Sequence, residues 1–139
     1  MDCIMTVNAN IVTEKDGIPV LYTSCKRGFG VRVVHAQNPK APSKNLSITI
    51  LYLAPGGVLE PHSHENEETY VILEGKGKGL FGLGEPIPVG EGVFIHLPPN
   101  AEHGLENTGE KMMKILICTS PPLGAYPEWK TRSEQSSRL

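Results

Sequence analysis

The sequence predicts a single all-β domain folded as a closed barrel or jelly roll. Fifteen Gly and twelve Pro punctuate short apolar runs along 139 residues. No segment keeps a 3.6-residue apolar period over a helical length, so the runs read as strands. Eight or so short strands at this spacing favour a closed barrel, which also removes exposed strand edges. The length suits one domain with a real core and is too small for two.

Taken in chain order, residues 8–22 offer one or two strands ahead of a barrel core expected over about 28–120. Strands are expected at 30–35, 47–53, 60–64, 69–73, 79–83, 92–97, 104–106 and 111–118. Turn chemistry separates them: Asn38 and Pro39, Pro55 with Gly56 and Gly57, Glu74 and Gly75, Gly84 to Pro86, Pro98 to Asn100, and Asn107 to Gly109. On the last strand Met113, Ile115 and Ile117 form a wholly apolar set that alternates with Met112, Lys114, Leu116 and Cys118. That set is expected inside, which would make the cavity largely hydrophobic. Residues 128–139 are charged and Ser-rich and are expected to fray, with Tyr126 and Trp129 anchoring the start of the tail.

Thirteen basic and fifteen acidic residues give a net charge of −2, without a basic run or an aromatic-interleaved patch. No nucleic-acid partner is expected. Met1 to Thr6 shows neither a basic start nor a long apolar stretch, so no signal peptide, no membrane span and a cytoplasmic location are expected. Cys3, Cys25 and Cys118 are odd in number and far apart. This does not suit a disulfide framework, and all three read as reduced thiols, Cys118 as a buried one.

The stretch from Gly56 to Glu68, with His103 downstream, carries the clearest chemistry. Side chains on a strand alternate, so His62 and His64 face the same way, with Cα atoms about 6 to 7 Å apart. The same parity selects Glu68 over Glu65 and Glu67 as the carboxylate partner. His103 would come from another strand. The pattern is Gly56, five residues, His62-x-His64, three residues, Glu68, six residues, Gly75, followed by Gly92, five residues, Pro98-x-Asn100, two residues, His103, three residues, Asn107.

These two blocks resemble the paired motifs of the cupin superfamily, and all four of its metal-ligand positions are filled, by His62, His64, Glu68 and His103. One departure is Asn100, which stands where the family usually has Gly. Asn tolerates positive φ better than other non-Gly residues, so a tight turn there remains expected. The resemblance implies a small jelly-roll barrel whose N-terminal segments pair across a homodimer.

Three imidazoles and a carboxylate suit a divalent first-row metal, with Mn or Fe favoured and Zn or Ni possible, and suit Ca or Mg poorly. Four protein ligands with open positions point to chemistry more than to scaffolding. Tyr70 and Ile72 share the face of Glu68, and parity places Val58 and Glu60 with His62. Glu60 reads either as an acid, base or ligand-orienting group or as a solvated carboxylate at the barrel mouth. His96 enters the pocket if Val93, Ile95 and Leu97 pack outside. Arg32 is a candidate for gripping a substrate carboxylate, or else a solvated strand residue. The run from Gly75 to Gly79 is not a phosphate loop, because no helix and no Lys-Ser/Thr ending follow.

The sequence therefore predicts a metal-dependent enzyme on a small organic metabolite, with Glu60, Tyr70 and His96 as catalytic candidates. The resemblance implies oxygenase, lyase, decarboxylase, isomerase or epimerase chemistry. An apolar pocket favours a dioxygenase or a lyase over a sugar isomerase. The alternative is a non-catalytic metal- or ligand-binding barrel, a sensor or accessory protein.

Overall fold

The computed structural model describes residues 7–82 and 84–122 and the backbone of 130–131. Among these, β1 (Ile18–Val20), β2 (Cys25–Val34), β3 (Ser47–Ser63), β4 (Glu67–Glu74), β5 (Lys76–Leu80), β6 (Ile87–Gly90), β7 (Phe94–Leu97), β8 (His103–Asn107), β9 (Met113–Ser120) and β10 (Lys130–Thr131) follow a 3-10 turn at Glu14–Asp16. The fold is all-β, a jelly-roll barrel. Its strands form one antiparallel sheet in the order β6-β5-β8-β3-β9-β4-β7, to which β2 and β10 add through β3, and β1 through β2.

Strand β3 organises the barrel. The sequence suggests two strands and a turn here, yet Ser47–Ser63 runs on as one element of 17 residues. Gly56 takes φ +78, so the Pro55-Gly56-Gly57 segment bends the strand without reversing the chain. The first half of β3 pairs with β9 and the second half with β8, while β2 follows it on the other side. One strand thus belongs to both walls, which is how the sheet curls round the core.

Alternation then sorts the side chains. Inward positions on β4, β9, β3 and β2 line up in rows across the ladder. Glu68, Thr119 and Ser47 form one row, Tyr70, Ile117, Thr49 and Arg32 the next, and Ile72, Ile115, Leu51 and Gly30 the third. The third row, with Leu53, Leu59, Leu105 and Met113, makes the fully buried apolar core. The expected inward set of Met113, Ile115 and Ile117 is found there, at 0%, 0% and 5% exposure. Polarity therefore rises from the core toward the rim, and the rows nearest the rim are not hydrophobic. The expectation of a largely apolar cavity was drawn from β9 alone and stopped one residue short of Thr119.

Other boundaries differ for local reasons. β2 starts at Cys25, ahead of the expected 30–35. β6 was not anticipated because Pro86 and Pro88 flank Ile87; it pairs only with β5, at the sheet edge, where a residue lacking an N–H is tolerated. Of the run from Gly75 to Gly79, only Gly75 turns, at φ +86, and Lys76 onward is strand β5. Residues 8–22 contribute one short strand, β1, which pairs with β2 of its own chain. The 3-10 turn is tied to the outer wall where the Glu14 carboxylate accepts bonds from Lys114 Nζ, at 3.0 Å, and from the Tyr52 hydroxyl. Lys130 and Thr131 pair with Ser63 and His62. The other expectations for the tail, Tyr126 and Trp129 included, fall outside the described residues, as does Cys3.

Candidate metal centre

The local fold around Pro61 sets the site. A β-bulge falls between Leu59 and His62, so both of these residues point inward although they are three positions apart. The bulge turns Glu60 away: its carboxylate meets Lys26 Nζ at 3.2 Å at the surface, while its N–H bonds to the Ser24 carbonyl. The parity argument that placed Glu60 in the cavity fails at this bulge, and Glu60 is not a pocket residue.

His62 lies opposite His103 in the β3–β8 ladder, and His64 follows the end of β3. Ring centroids are 4.3 Å apart for His62 and His103, 5.0 Å for His64 and His103, and 5.7 Å for His62 and His64. One ligand nitrogen from each lies within 4.8 Å of the others. Glu68 joins them from β4 and is 1% exposed; its Oε1 lies 3.0 Å from both His64 Nε2 and His103 Nε2. All four predicted ligands converge.

Hydrogen bonding at the far side of each ring fixes the tautomers. His62 Nδ1 faces the Glu60 carbonyl at 2.7 Å, His64 Nδ1 the Asn66 carbonyl at 3.0 Å, and His103 Nδ1 the Ala101 carbonyl at 2.8 Å. A carbonyl only accepts, so each Nδ1 carries a proton, and in the neutral ring Nε2 presents a lone pair. Those lone pairs of His64 and His103 meet a carboxylate oxygen at 3.0 Å, acceptor against acceptor. A cation between them turns repulsion into coordination, which is the arrangement a divalent metal requires.

Electrostatics agree with that ligand state. Burial first, and then the neighbouring His103, brings the His62 pKa down to about 3, so the ring is neutral at ordinary pH. Burial pushes Glu68 upward, but the His103 and His64 rings set against its Oε1 outweigh it and bring the carboxyl down to about 2, ionised. Thr119 donates to the second oxygen, Oε2, at 2.7 Å.

Tyr70 is 1% exposed, with its ring set edge-on to His103 at 5.5 Å. Burial, then the Glu68 charge, raises its pKa well above 10, so the phenol stays protonated. His96 does not enter the pocket. Ile95 and Leu97 point inward with Tyr70 and Glu68, which sends His96 outward to Glu67 Oε2 at 2.7 Å with more than half of its side chain exposed.

Arg32 lies on the inward row with Thr49. Its Nη1 donates to Gln37 Oε1 at 2.6 Å, while its Nε is buried with no acceptor among the described residues. The Tyr22 ring packs where a side chain on Gly30 would stand; its hydroxyl is 3.1 Å from that position. Tyr22, Thr49, Ser47 and Thr119 were not anticipated. The last three would have been found by continuing the inward parity of β3 and β9 to the rim. Tyr22 lies outside any regular strand and gave no such signal.

The family described as "Cupin domain" matches residues 49–119. An uncharacterized protein of Methanocaldococcus jannaschii is 36% identical over 114 residues, covering 81% of this chain and 87% of that protein. Auxin-binding protein 1 of Arabidopsis thaliana is 33% identical over 98 residues, 62% of this chain, which spans about half (49%) of that relative. The dimethylsulfoniopropionate lyase DddW of Ruegeria pomeroyi is 35% identical over 65 residues, 47% of this chain and 42% of its own length. Among solved structures, the polyketide cyclase RemF from Streptomyces resistomycificus superposes with a TM-score of 0.76 at 17% identity, over 95% and 94% of the two chains. A predicted oxalate decarboxylase from Thermotoga maritima gives 0.66 at 21% identity, over 79% of this chain and 97% of its own.

Proposed function

The chain belongs to the cupin-domain family, and from that premise we propose that it is a metal-dependent enzyme acting on a small organic metabolite inside the barrel. The observation that carries this reading is the meeting of two imidazole lone pairs with one Glu68 oxygen at 3.0 Å, in a buried cluster whose three rings are all held in the ligand tautomer. His62, His64, His103 and Glu68 would hold the ion, with Mn or Fe favoured and Zn or Ni as alternatives. Such an ion supplies Lewis acidity toward an oxygen ligand and, if it is iron or manganese, a redox centre.

The protein's own groups have separate tasks. Thr119 aims the Glu68 carboxylate. Tyr70 keeps its proton and is a hydrogen-bond donor to negative charge on a substrate oxygen, not a base. Lyase, decarboxylase and dioxygenase chemistry all fit this equipment. The likeness to proteins named as a lyase and as a predicted decarboxylase supports the first two. A reducing, cytoplasmic setting and a homodimer belong to the same proposal; free thiols at Cys25 and Cys118 support the former.

A second reading, a ligand-binding barrel without turnover, is favoured by the likeness to an auxin-binding protein. Elemental analysis with electron paramagnetic resonance separates the outcomes. About one metal ion per chain, lost in His62→Ala and Glu68→Gln, supports the centre. A nitric oxide or azide response in its spectrum supports open positions and an enzyme, and a spectrum indifferent to both favours the ligand-binding barrel. Metal retained equally by both variants overturns the assignment.

A further inference from the structure

The wall beside the metal ligands holds a positive charge that the described part of the protein leaves unanswered. Arg32 lies inward on β2, and among the described residues no carboxylate pairs with it. Its Nε is buried without an acceptor, and the Ser47 hydroxyl on an adjoining inward position is buried without a hydrogen-bond partner among the described residues, while Arg32 and Thr49 both interact with the Tyr22 hydroxyl. A guanidinium N–H withheld from water and left unpaired is costly, and the partner that answers it best is a planar oxyanion taking two parallel bonds. Gly30, one inward step along the same strand, leaves the space that the Tyr22 ring fills, so a phenol stands beside the guanidinium. Arg32 and Glu68 both act electrostatically on Tyr22, so the phenol stands near both.

Resting on the reading of the barrel as a substrate pocket, we propose that Arg32, Thr49, Ser47 and Tyr22 form a carboxylate receptor adjoining the metal centre, so that the substrate is a small organic acid. A carboxylate matches the donors on this wall, the guanidinium edge that carries the buried Nε and the Ser47 and Thr49 hydroxyls beside it. The rows of the ladder give the alignment. Thr49 and Arg32 share a row with Tyr70, and Ser47 shares one with Glu68 and Thr119. An acid held by its carboxylate on Arg32 therefore extends its remaining atoms along the polar rows toward Tyr70 and the metal ligands. Arg32 acts here as a binding and specificity residue.

Calorimetric titration of the full chain, metal-loaded and metal-stripped, with malonate, inorganic phosphate and glycerol tests this. Malonate is expected to bind, phosphate more weakly and glycerol not at all. Arg32→Met and Arg32→Lys should each weaken malonate by about 10- to 100-fold, and Thr49→Val by a smaller factor, as expected for lost charge-assisted and neutral hydrogen bonds. Metal stoichiometry and thermal midpoint should stay at the wild-type values in Arg32→Lys, which retains the charge without the planar fork. Malonate binding unchanged in both Arg32 variants overturns the receptor, as does phosphate or glycerol binding as tightly as malonate, or malonate failing to bind. Failure of the metal reading shows separately, as a wild-type chain without stoichiometric metal, and the stripped-protein titration still reports on Arg32.

Discussion

Thr119 donates its hydroxyl to Glu68 Oε2 at 2.7 Å, while the other oxygen of that carboxylate faces His64 and His103. The two residues sit opposite each other in the β4–β9 ladder, so the sheet register itself brings them together. A carboxylate with one oxygen tied presents the other to the cluster in a fixed direction, and such outer partners set how well a ligand binds its ion.

Thr119→Val keeps the shape and removes the hydroxyl. Metal affinity should fall by about 10- to 100-fold, the range typical for lost outer partners, and Thr119→Ser should restore most of it. Competition against a metal indicator measures this, with near-ultraviolet circular dichroism as the control for folding. Equal affinities in wild type and Thr119→Val would show that Glu68 needs no such tether.

Cys25 provides a pH signature away from the metal. Burial against the core raises its thiol from 9.0 to about 11. A raised folded-state pKa means that the unfolded chain loses this proton first, so the stabilising contribution is complete below pH 9 and is lost as pH rises through about 11. Thermal midpoints should decline across that window, less so in Cys25→Ala. Alkylation of Cys25 by iodoacetamide at pH 8 should lag behind a free thiol, and a rate matching free cysteine would contradict the burial argument.

The four ligands were legible because their spacing survives folding. His62, His64 and Glu68 lie close in sequence at the end of β3 and the start of β4, and His103 is set directly opposite His62 by the β3–β8 register. Strand parity served well on β4 and β9, where the inward residues are those that alternation selects. It failed ahead of Pro61, at Glu60, because one bulge residue reverses the faces, and a lone Pro does not announce which neighbour takes up the extra position. On β7 both faces carry apolar residues: Phe94 is 72% exposed while Leu97 is 4% exposed, so hydrophobicity alone could not orient His96. Tyr22 was beyond reach for a different reason. It enters through an absence, the missing side chain of Gly30, and such vacancies have no sequence signature.

The outward placement of Glu60 and His96 makes a sharp prediction. Glu60→Gln and His96→Gln should leave metal content and metal affinity at wild-type values. The first removes a surface ion pair with Lys26 and the second an exposed hydrogen-bonded contact with Glu67, each worth at most about 1 kcal/mol. The carbonyl of Glu60 that holds His62 is backbone and survives the substitution. Metal lost from either variant would return that side chain to the pocket.

Asn100 tests how a turn controls a ligand. Its φ of +68 is the left-handed conformation expected from its place in the second motif, and its N–H donates to the His64 carbonyl at 2.8 Å. The next residue, Ala101, supplies the carbonyl that fixes the His103 tautomer. Asn100→Gly relieves the backbone conformation without disturbing either bond, so stability and metal affinity should stay close to wild type. Asn100→Val forces a β-branched residue into the same φ, at a cost of about 1–3 kcal/mol. If the turn relaxes to escape that cost, the Ala101 carbonyl shifts and His103 loses its orientation, so metal affinity should fall together with the thermal midpoint. Differential scanning fluorimetry in chelator gives the stability change and indicator competition gives the affinity. A valine variant with a lowered midpoint but unchanged affinity would show that the turn supports the barrel and not the ligand.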